Sequence, residues 1–330
     1  MRREDAAQAL WITGPGETAL REETIAPPAA GEVLVETAFG GISRGTEALV
    51  LAGAVPESEH ERMRCPHQGG AFPFPVKYGY AAVGTVVAGE PSLLGRTVLC
   101  LHPHQDRFVV DAAAVTPVPD DVPPARAVLG PNMETALNVL WDAGATACDR
   151  IAVVGAGTVG LLVAHLAARL PGARVTVVDV DPARAAIATA FGCRFALPQD
   201  ARGDHDVVVH ASASEAGLAL AIDLCGFEAR LVEASWYGGR TVTVPLGGPF
   251  HSRRITIASS QVGAVSPRRR ARRGFGERMA DALSLLADDR LDALISGETD
   301  FVDIDGAYPE ILARPGTLCH RIRYTPVHRP

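Results

Sequence analysis

Residues 151–160 read IAVVGAGTVG and are followed by LLVAHLAARL. An apolar run, glycines spaced G-x-G-x-x-G (Gly155, Gly157, Gly160) and a second apolar stretch read as strand, tight turn and helix, the opening of a βα unit in a parallel sheet. Gly155 permits the turn, Gly157 lets backbone N–H groups approach a pyrophosphate, and Gly160 lets the helix lie close to the strand. Thr158 and Val159 begin that helix, whose positive end favours an anion. The next apolar strand, RVTVVDV, delivers Asp179 at the spacing, about 20 residues on, where such units carry the acid that binds a ribose diol. A glycine turn in an ordinary α/β protein is the bland alternative; strand, helix and acid together favour a dinucleotide site.

The chain has 330 residues, 47% of them hydrophobic, enough for one large or two medium domains with cores of their own. A net charge of −7 argues against a broad nucleic-acid or anionic-membrane surface. The local exception, Pro267-RRRARR-Gly274 with five arginines, reads as a solvated loop or helix start before it reads as an anion site. No apolar stretch reaches the roughly 18 residues of a membrane span. The start MRREDAAQALW lacks the apolar core of a secretory signal, so a cytoplasmic protein is expected. The six cysteines form no CxxC pair and read as reduced thiols.

Residues 7–118 carry short strand-like runs (EVLVETAFG, AAVGTVVAG, RTVLCLH, DRFVVDA) divided by Gly, Pro and Asp, a β-rich and partly antiparallel region. PDDVPP marks a boundary, and PNMETALNVLWDAG is an amphipathic helix closed by Gly144. From 150 the pattern is βα: helices over 158–169, 183–191 and 215–225 alternate with IAVVGAG, RVTVVDV, DVVVHAS, ARLVEASWYGG and RRITIASSQVG, which implies a parallel sheet covered on both faces. A final helical segment, FGERMADALSLLADDRLD, and the strand LCHRIRYT are too few to stand alone and are expected to return to the N-terminal region.

A β-rich N-terminal region, an inserted dinucleotide domain and a C-terminal return together resemble the medium-chain dehydrogenase/reductase superfamily, the zinc-type alcohol dehydrogenase relatives. GEVLVETAFGGISRGTE looks like the superfamily's early strand and GICGTD-like turn, and FPVKYGYAAVGTVVAGEPSLLGRTV like its P-x-x-x-GHE-x-x-G segment. GISRGTE with SWYG is most similar to bacteriochlorophyllide a dehydrogenase-like members, which oxidise a hydroxyethyl group on a tetrapyrrole. The resemblance implies an α/β protein: a GroES-like β-rich catalytic domain over 1–125 and 266–330, and a doubly wound Rossmann domain over 126–265. It implies an NAD(P)-dependent oxidoreductase acting on a small-molecule alcohol/ketone pair. Thr135, Ala211 and Ser235 join the glycine turn and Asp179 as cofactor contacts. With Asp179 in place, NAD is expected over NADP.

The resemblance departs at the metal. A catalytic zinc needs thiolate, imidazole and a further Cys or Glu, but those positions carry Ser43, Tyr80 and Pro131, and the cysteine-rich lobe is absent. A zinc-free member is expected. His102 and His104, near Cys100, could face one side of a strand, but Pro103 interrupts it and two loop histidines are the preferred reading. Without zinc the substrate oxygen needs a side-chain donor or acid. Tyr80, Glu134, Ser43, Thr46 and His104 are the candidates, with Lys77 placed to lower the Tyr80 pKa. For Tyr80 and Glu134, a packed aromatic and a helix-start charge remain equal alternatives. His210 reads as core, and His251 stays open. A quinone or enoyl reductase, and a dinucleotide-binding protein without turnover, also remain open. The strand RRITIASSQ matches an edge that relatives pair across a two-fold axis, so a homodimer is expected.

Overall fold

A computed structural model describes residues 6–325. The chain divides into two compact units: one runs through Pro131 and resumes at Met279, the other is Asn132–Arg278.

The second unit is built on six parallel strands in the order Arg194–Ala196, Arg174–Val178, Arg150–Val154, His205–His210, Cys225–Glu233, Thr256–Ser259. The inner strands are mostly apolar and buried because helices cover both faces of the sheet. Ala152, Val154, Val208 and Leu231 pack with Leu218, Ala221 and Ile222 of the helix Glu215–Leu224 in one core cluster. The earliest strand lies in the middle, and the winding direction reverses beside it. That reversal is the topological switch point at which open α/β sheets bind ligands, and the turn Gly155–Gly160 stands at it. Gly155 has φ +108°, and a Cβ there would lie 2.7 Å from the Ser212 nitrogen. At Gly160 a Cβ would collide with the Gly155 carbonyl, so the helix Thr158–Ala167 can approach its strand only with glycine at that position.

The first unit centres on the long strand Glu32–Ser43, antiparallel to Cys319–Arg323, Ala82–Gly89 and Arg107–Asp111. The C-terminal return is therefore a strand inside this sheet, with Ile295–Asp300 parallel beside it. A four-stranded sheet holds the hairpin Ala6–Gly14 and Glu17–Thr24. Val33, Val35, Val86, Val98 and Phe108 form the core under the larger sheet.

One local feature goes beyond the sequence reading, and the arginine run agrees with it. GISRGTE is not only a turn: Ser43 ends the strand and stands at the N-cap position of the helix Arg44–Leu51, without a side-chain capping bond. The arginine run is an exposed turn, with Arg269 over the Trp141 ring at 5.9 Å. All six cysteines are free thiols, five of them buried. Among the described residues no helix is long and apolar enough to cross a membrane.

Candidate functional site

Two constellations carry chemistry, one in each unit.

In the dinucleotide unit, Gly157 is extended and exposed at the start of Thr158–Ala167, and open space lies where its Cβ would be. The cradle that a pyrophosphate needs is thus present: a bare backbone at a helix N-terminus. Asp179 follows the neighbouring strand. Its Oδ2 accepts from the Ala156 N–H at 2.6 Å and its Oδ1 from the Asp181 N–H at 2.9 Å, which fixes the carboxylate beside the glycine turn. Val180 is exposed, and Asp181 pairs with Arg184. Ala211 N–H donates to the Val154 carbonyl at 2.8 Å, directly under the turn. Ser235 Oγ accepts from the Ala213 N–H at 3.0 Å. These residues fit a dinucleotide.

Thr135 and Glu134 lie on the helix Gly130–Ala143. Glu134, expected as a proton relay, has a different commitment. Its Oε1 accepts from Arg278 Nε at 3.0 Å, and both side chains are almost fully buried. Burial raises the Glu134 pKa and the Arg278 charge only partly offsets this.

In the β-rich unit the structure gathers Ser43, Thr46 and Tyr80. The strand end brings Ser43 and the next helical turn brings Thr46, and both hydroxyls stand beside the Tyr80 phenol, where they act to lower its pKa. Behind them Glu47 is completely buried. Its Oε1 accepts from the Ser43 N–H at 2.7 Å; its Oε2 accepts from Tyr308 Oη at 2.5 Å and pairs with His104 Nε2 at 2.9 Å. His104 is therefore joined to the hydroxyl cluster through Glu47. Its Nδ1 is buried without a partner, and Gly79, with φ +129°, leaves room for its ring.

The Lys77 expectation is corrected. Its ammonium pairs with Glu23 at 2.6 Å and Gln105 at 2.8 Å, and Tyr80 is shifted up, not down. Burial is the largest cause and the Glu47 charge the next, together outweighing Ser43 and Thr46. A partly buried phenol beside a carboxylate holds its proton more firmly than a free one.

Cys100 and His102 do not join this cluster. Cys100 is buried in its strand, and His102 stacks on Phe108 at 3.9 Å with Nδ1 against the Pro103 carbonyl. Among the described residues no three His, Cys, Asp or Glu side chains are grouped to hold a metal ion. His251 is exposed.

Sequence reasoning passed over Glu47 and Tyr308, although Glu47 is the acid of the GISRGTE segment. It also passed over a polar chain around His210, which is completely buried against Glu233 Oε2 (2.7 Å) and Ser212 Oγ (2.6 Å).

With this geometry in view, the chain can be set beside known proteins. No protein-family model matches it. Two curated relatives are both 2-desacetyl-2-hydroxyethyl bacteriochlorophyllide A dehydrogenases. The one from Cereibacter sphaeroides is 34% identical over 83 residues, 25% of this chain and 23% of that protein. The alignment with it thus spans about a quarter of its length. The one from Rhodobacter capsulatus is 26% identical over 260 residues, 74% of this chain and 76% of that protein. Among solved structures, L-idonate 5-dehydrogenase from Escherichia coli superposes with a TM-score of 0.80 at 17% identity, covering 96% of this chain and 98% of that one. A short chain alcohol dehydrogenase from Escherichia coli CFT073, complexed with NADH, matches at 0.74 and 18%, covering 97% and 99%. Staphylococcus aureus TarJ, in complex with NADPH, matches at 0.75 and 14%, also covering 97% and 99%. The chain has the fold of the zinc-type medium-chain dehydrogenases/reductases, a GroES-like and a Rossmann domain. Its structural neighbours and sequence relatives named above include dehydrogenases.

Proposed function

We propose that this protein is an NAD(H)-linked oxidoreductase that interconverts an alcohol and a ketone on a small-molecule biosynthetic intermediate, without catalytic zinc. The observation that carries the reading is the Ser43–Thr46–Tyr80 hydroxyl cluster, which stands at the sequence positions of two zinc ligands. A neutral serine hydroxyl and a firmly protonated phenol are poor zinc ligands and good hydrogen-bond donors. The relatives' activity on a hydroxyethyl side chain supports an alcohol/ketone pair. Screening NADH oxidation against ketone and enone panels tests the assignment: turnover of enones alone would reassign it to C=C reduction, and no turnover would leave a dinucleotide-binding protein.

The bound dinucleotide supplies the hydride acceptor or donor. The chain's residues do the rest. The turn and helix N-terminus take the pyrophosphate, and Asp179 takes a ribose diol. Tyr80 donates its phenolic hydrogen to the substrate oxygen, stabilising the charge that builds there as the carbon gains or loses hydride. Ser43 and Thr46 stand beside the phenol, and Glu47 holds the Ser43 backbone.

Three expectations follow. Elemental analysis of the purified protein should find no stoichiometric zinc; about one zinc per chain would overturn the zinc-free reading. Calorimetry should show NADH bound more tightly than NADPH, because the Asp179 carboxylate repels a 2′-phosphate, and Asp179→Ser should narrow the gap. Equal dissociation constants in the wild type would refute the preference. The strand Thr256–Ser259 is an edge of its sheet, with Ile257 exposed, and a second copy pairing there makes a homodimer. Light scattering at micromolar concentration should give the dimer mass, and a monomer would count against it. Free thiols throughout suit a reducing cytoplasm.

A further inference from the structure

The parallel strands His205–His210 and Cys225–Glu233 end in register, with His210 opposite Glu233. A continuous hydrogen-bonded chain starts there. Glu233 Oε2 meets His210 Nδ1 at 2.7 Å, and His210 Nε2 meets Ser212 Oγ at 2.6 Å. Ser212 Oγ meets Ser214 Oγ at 2.8 Å, and Ser214 Oγ accepts from the Gly217 N–H at 3.1 Å. Glu233 also accepts from the Ser235 N–H at 2.8 Å and from Tyr237 Oη at 3.2 Å. Gly217 makes the chain possible, because a Cβ there would collide with Ser212 Oγ and come within 2.9 Å of His210 Nε2.

With a neutral imidazole between them, the two ends fix the direction of every bond. A backbone N–H only donates and an ionised carboxylate only accepts. Glu233 is held ionised: burial pushes its pKa up, but the hydrogen bonds it accepts from His210 and Ser235 pull it down and the net shift is down. His210 Nδ1 therefore carries the hydrogen, and in a neutral ring Nε2 must accept from the Ser212 hydroxyl. Ser212 has then spent its only hydrogen, so Ser214 donates to it. Ser212 is exposed and abuts Gly155. It presents one free lone pair and no hydrogen beside the glycine turn, on the flank opposite Asp179.

We propose that His210 is a positioning residue for the dinucleotide: locked by Glu233 as the neutral Nδ1–H tautomer, it makes Ser212 an obligate acceptor that receives a ribose hydroxyl of the bound cofactor. This rests on the dinucleotide reading above. It makes the turn complementary to a ribosyl–pyrophosphate–ribosyl ligand, with donors in the centre and an acceptor on each side.

The test combines a spectrum with a double-mutant cycle. Two-bond 15N–1H imidazole spectra of the wild type should show His210 protonated at Nδ1 alone. Glu233→Gln supplies an amide hydrogen to Nδ1 and moves the ring proton to Nε2, which then donates to Ser212 and turns the serine's own hydrogen outward. The NADH dissociation constant from calorimetry should rise about fivefold to tenfold in Glu233→Gln and in Ser212→Ala, the worth of one hydrogen bond. Glu233→Gln should add nothing in the Ser212→Ala background, a non-additivity that mere loss of packing does not produce. An Nε2–H or doubly protonated His210, unchanged affinities, or additive effects overturn the proposal. If Glu233→Gln does not fold, the wild-type spectrum and Ser212→Ala still decide. A wild type that binds no NADH overturns the dinucleotide reading, and with it the ribose contact, whatever the tautomer.

Discussion

Tyr80→Phe should turn over about 10²–10⁴ times more slowly than the wild type, the usual cost of losing one positioned acid or donor, while binding NADH unchanged. The substitution removes one oxygen and leaves the ring. Ser43 and Thr46 would keep their places, because Glu47 holds the Ser43 backbone from behind. The affinity is expected to hold because every dinucleotide contact assigned here belongs to the other unit. The pH profile sharpens the prediction. The Tyr80 pKa is raised above its ordinary value of 10.0, first by burial and then by the Glu47 charge. The protonated, donating form therefore persists to higher pH than in a free phenol, and no inflection from Tyr80 should appear between about pH 6 and 9. The contrast is with a tyrosine whose pKa a neighbouring cation lowers, where activity would titrate near neutrality. Steady-state kcat for both proteins across that range checks the claim. Normal turnover by Tyr80→Phe would make the tyrosine a packing residue.

What the sequence discloses depends on how far apart the interacting residues lie. The glycine turn is legible because its demands are local: within six residues it needs a positive φ, a bare backbone and a close helix, and only glycine meets all three. Asp179 is legible because a single strand delivers it to a fixed end of the sheet. Ser43 and Tyr80 stood out through the resemblance, which placed them at ligand positions. Their partners did not. Tyr308 reaches Glu47 across 261 residues of chain, and the C-terminal strand that ends at Arg323 inserts beside Glu32–Ser43 with no local signal naming that neighbour. His210 and Glu233 pair because parallel strands end in register, a relation that periodicity in either strand alone does not contain. Lys77 shows the converse error: closeness in sequence to Tyr80 suggested an interaction, but the strand directs its ammonium to Glu23.

Arg278→Ala should destabilise the dinucleotide unit by about 3–5 kcal/mol, the cost of stripping a buried charge of its partner, and a large part of the roughly 5–15 kcal/mol that holds a protein folded. Arg278 is 1% exposed. Its guanidinium donates to Glu134 Oε1, to Asn138 Oδ1 at 2.7 Å, and to the Val262 and Ala264 carbonyls at 2.5 and 3.3 Å. It thereby ties the helix Gly130–Ala143 to the loop after the last strand, and two residues 144 apart share one buried pair. Alanine leaves the Glu134 carboxylate without its cation and two carbonyls without a donor. The sign of the pH dependence follows. The Glu134 pKa is already raised, by burial above all, and losing Arg278 removes the charge that holds it down. A carboxyl whose folded pKa exceeds its unfolded value is tolerated best when protonated, and its cost appears as pH rises through the folded pKa. The melting-temperature gap between Arg278→Ala and the wild type should therefore be largest at neutral pH and shrink as the solution is acidified. The double variant Arg278→Met/Glu134→Leu, which removes both charges and keeps the volume, should recover most of the loss at neutral pH. Thermal unfolding of the three proteins at two pH values decides it. A gap that does not change with pH would mean that lost packing, not an uncompensated carboxylate, sets the cost.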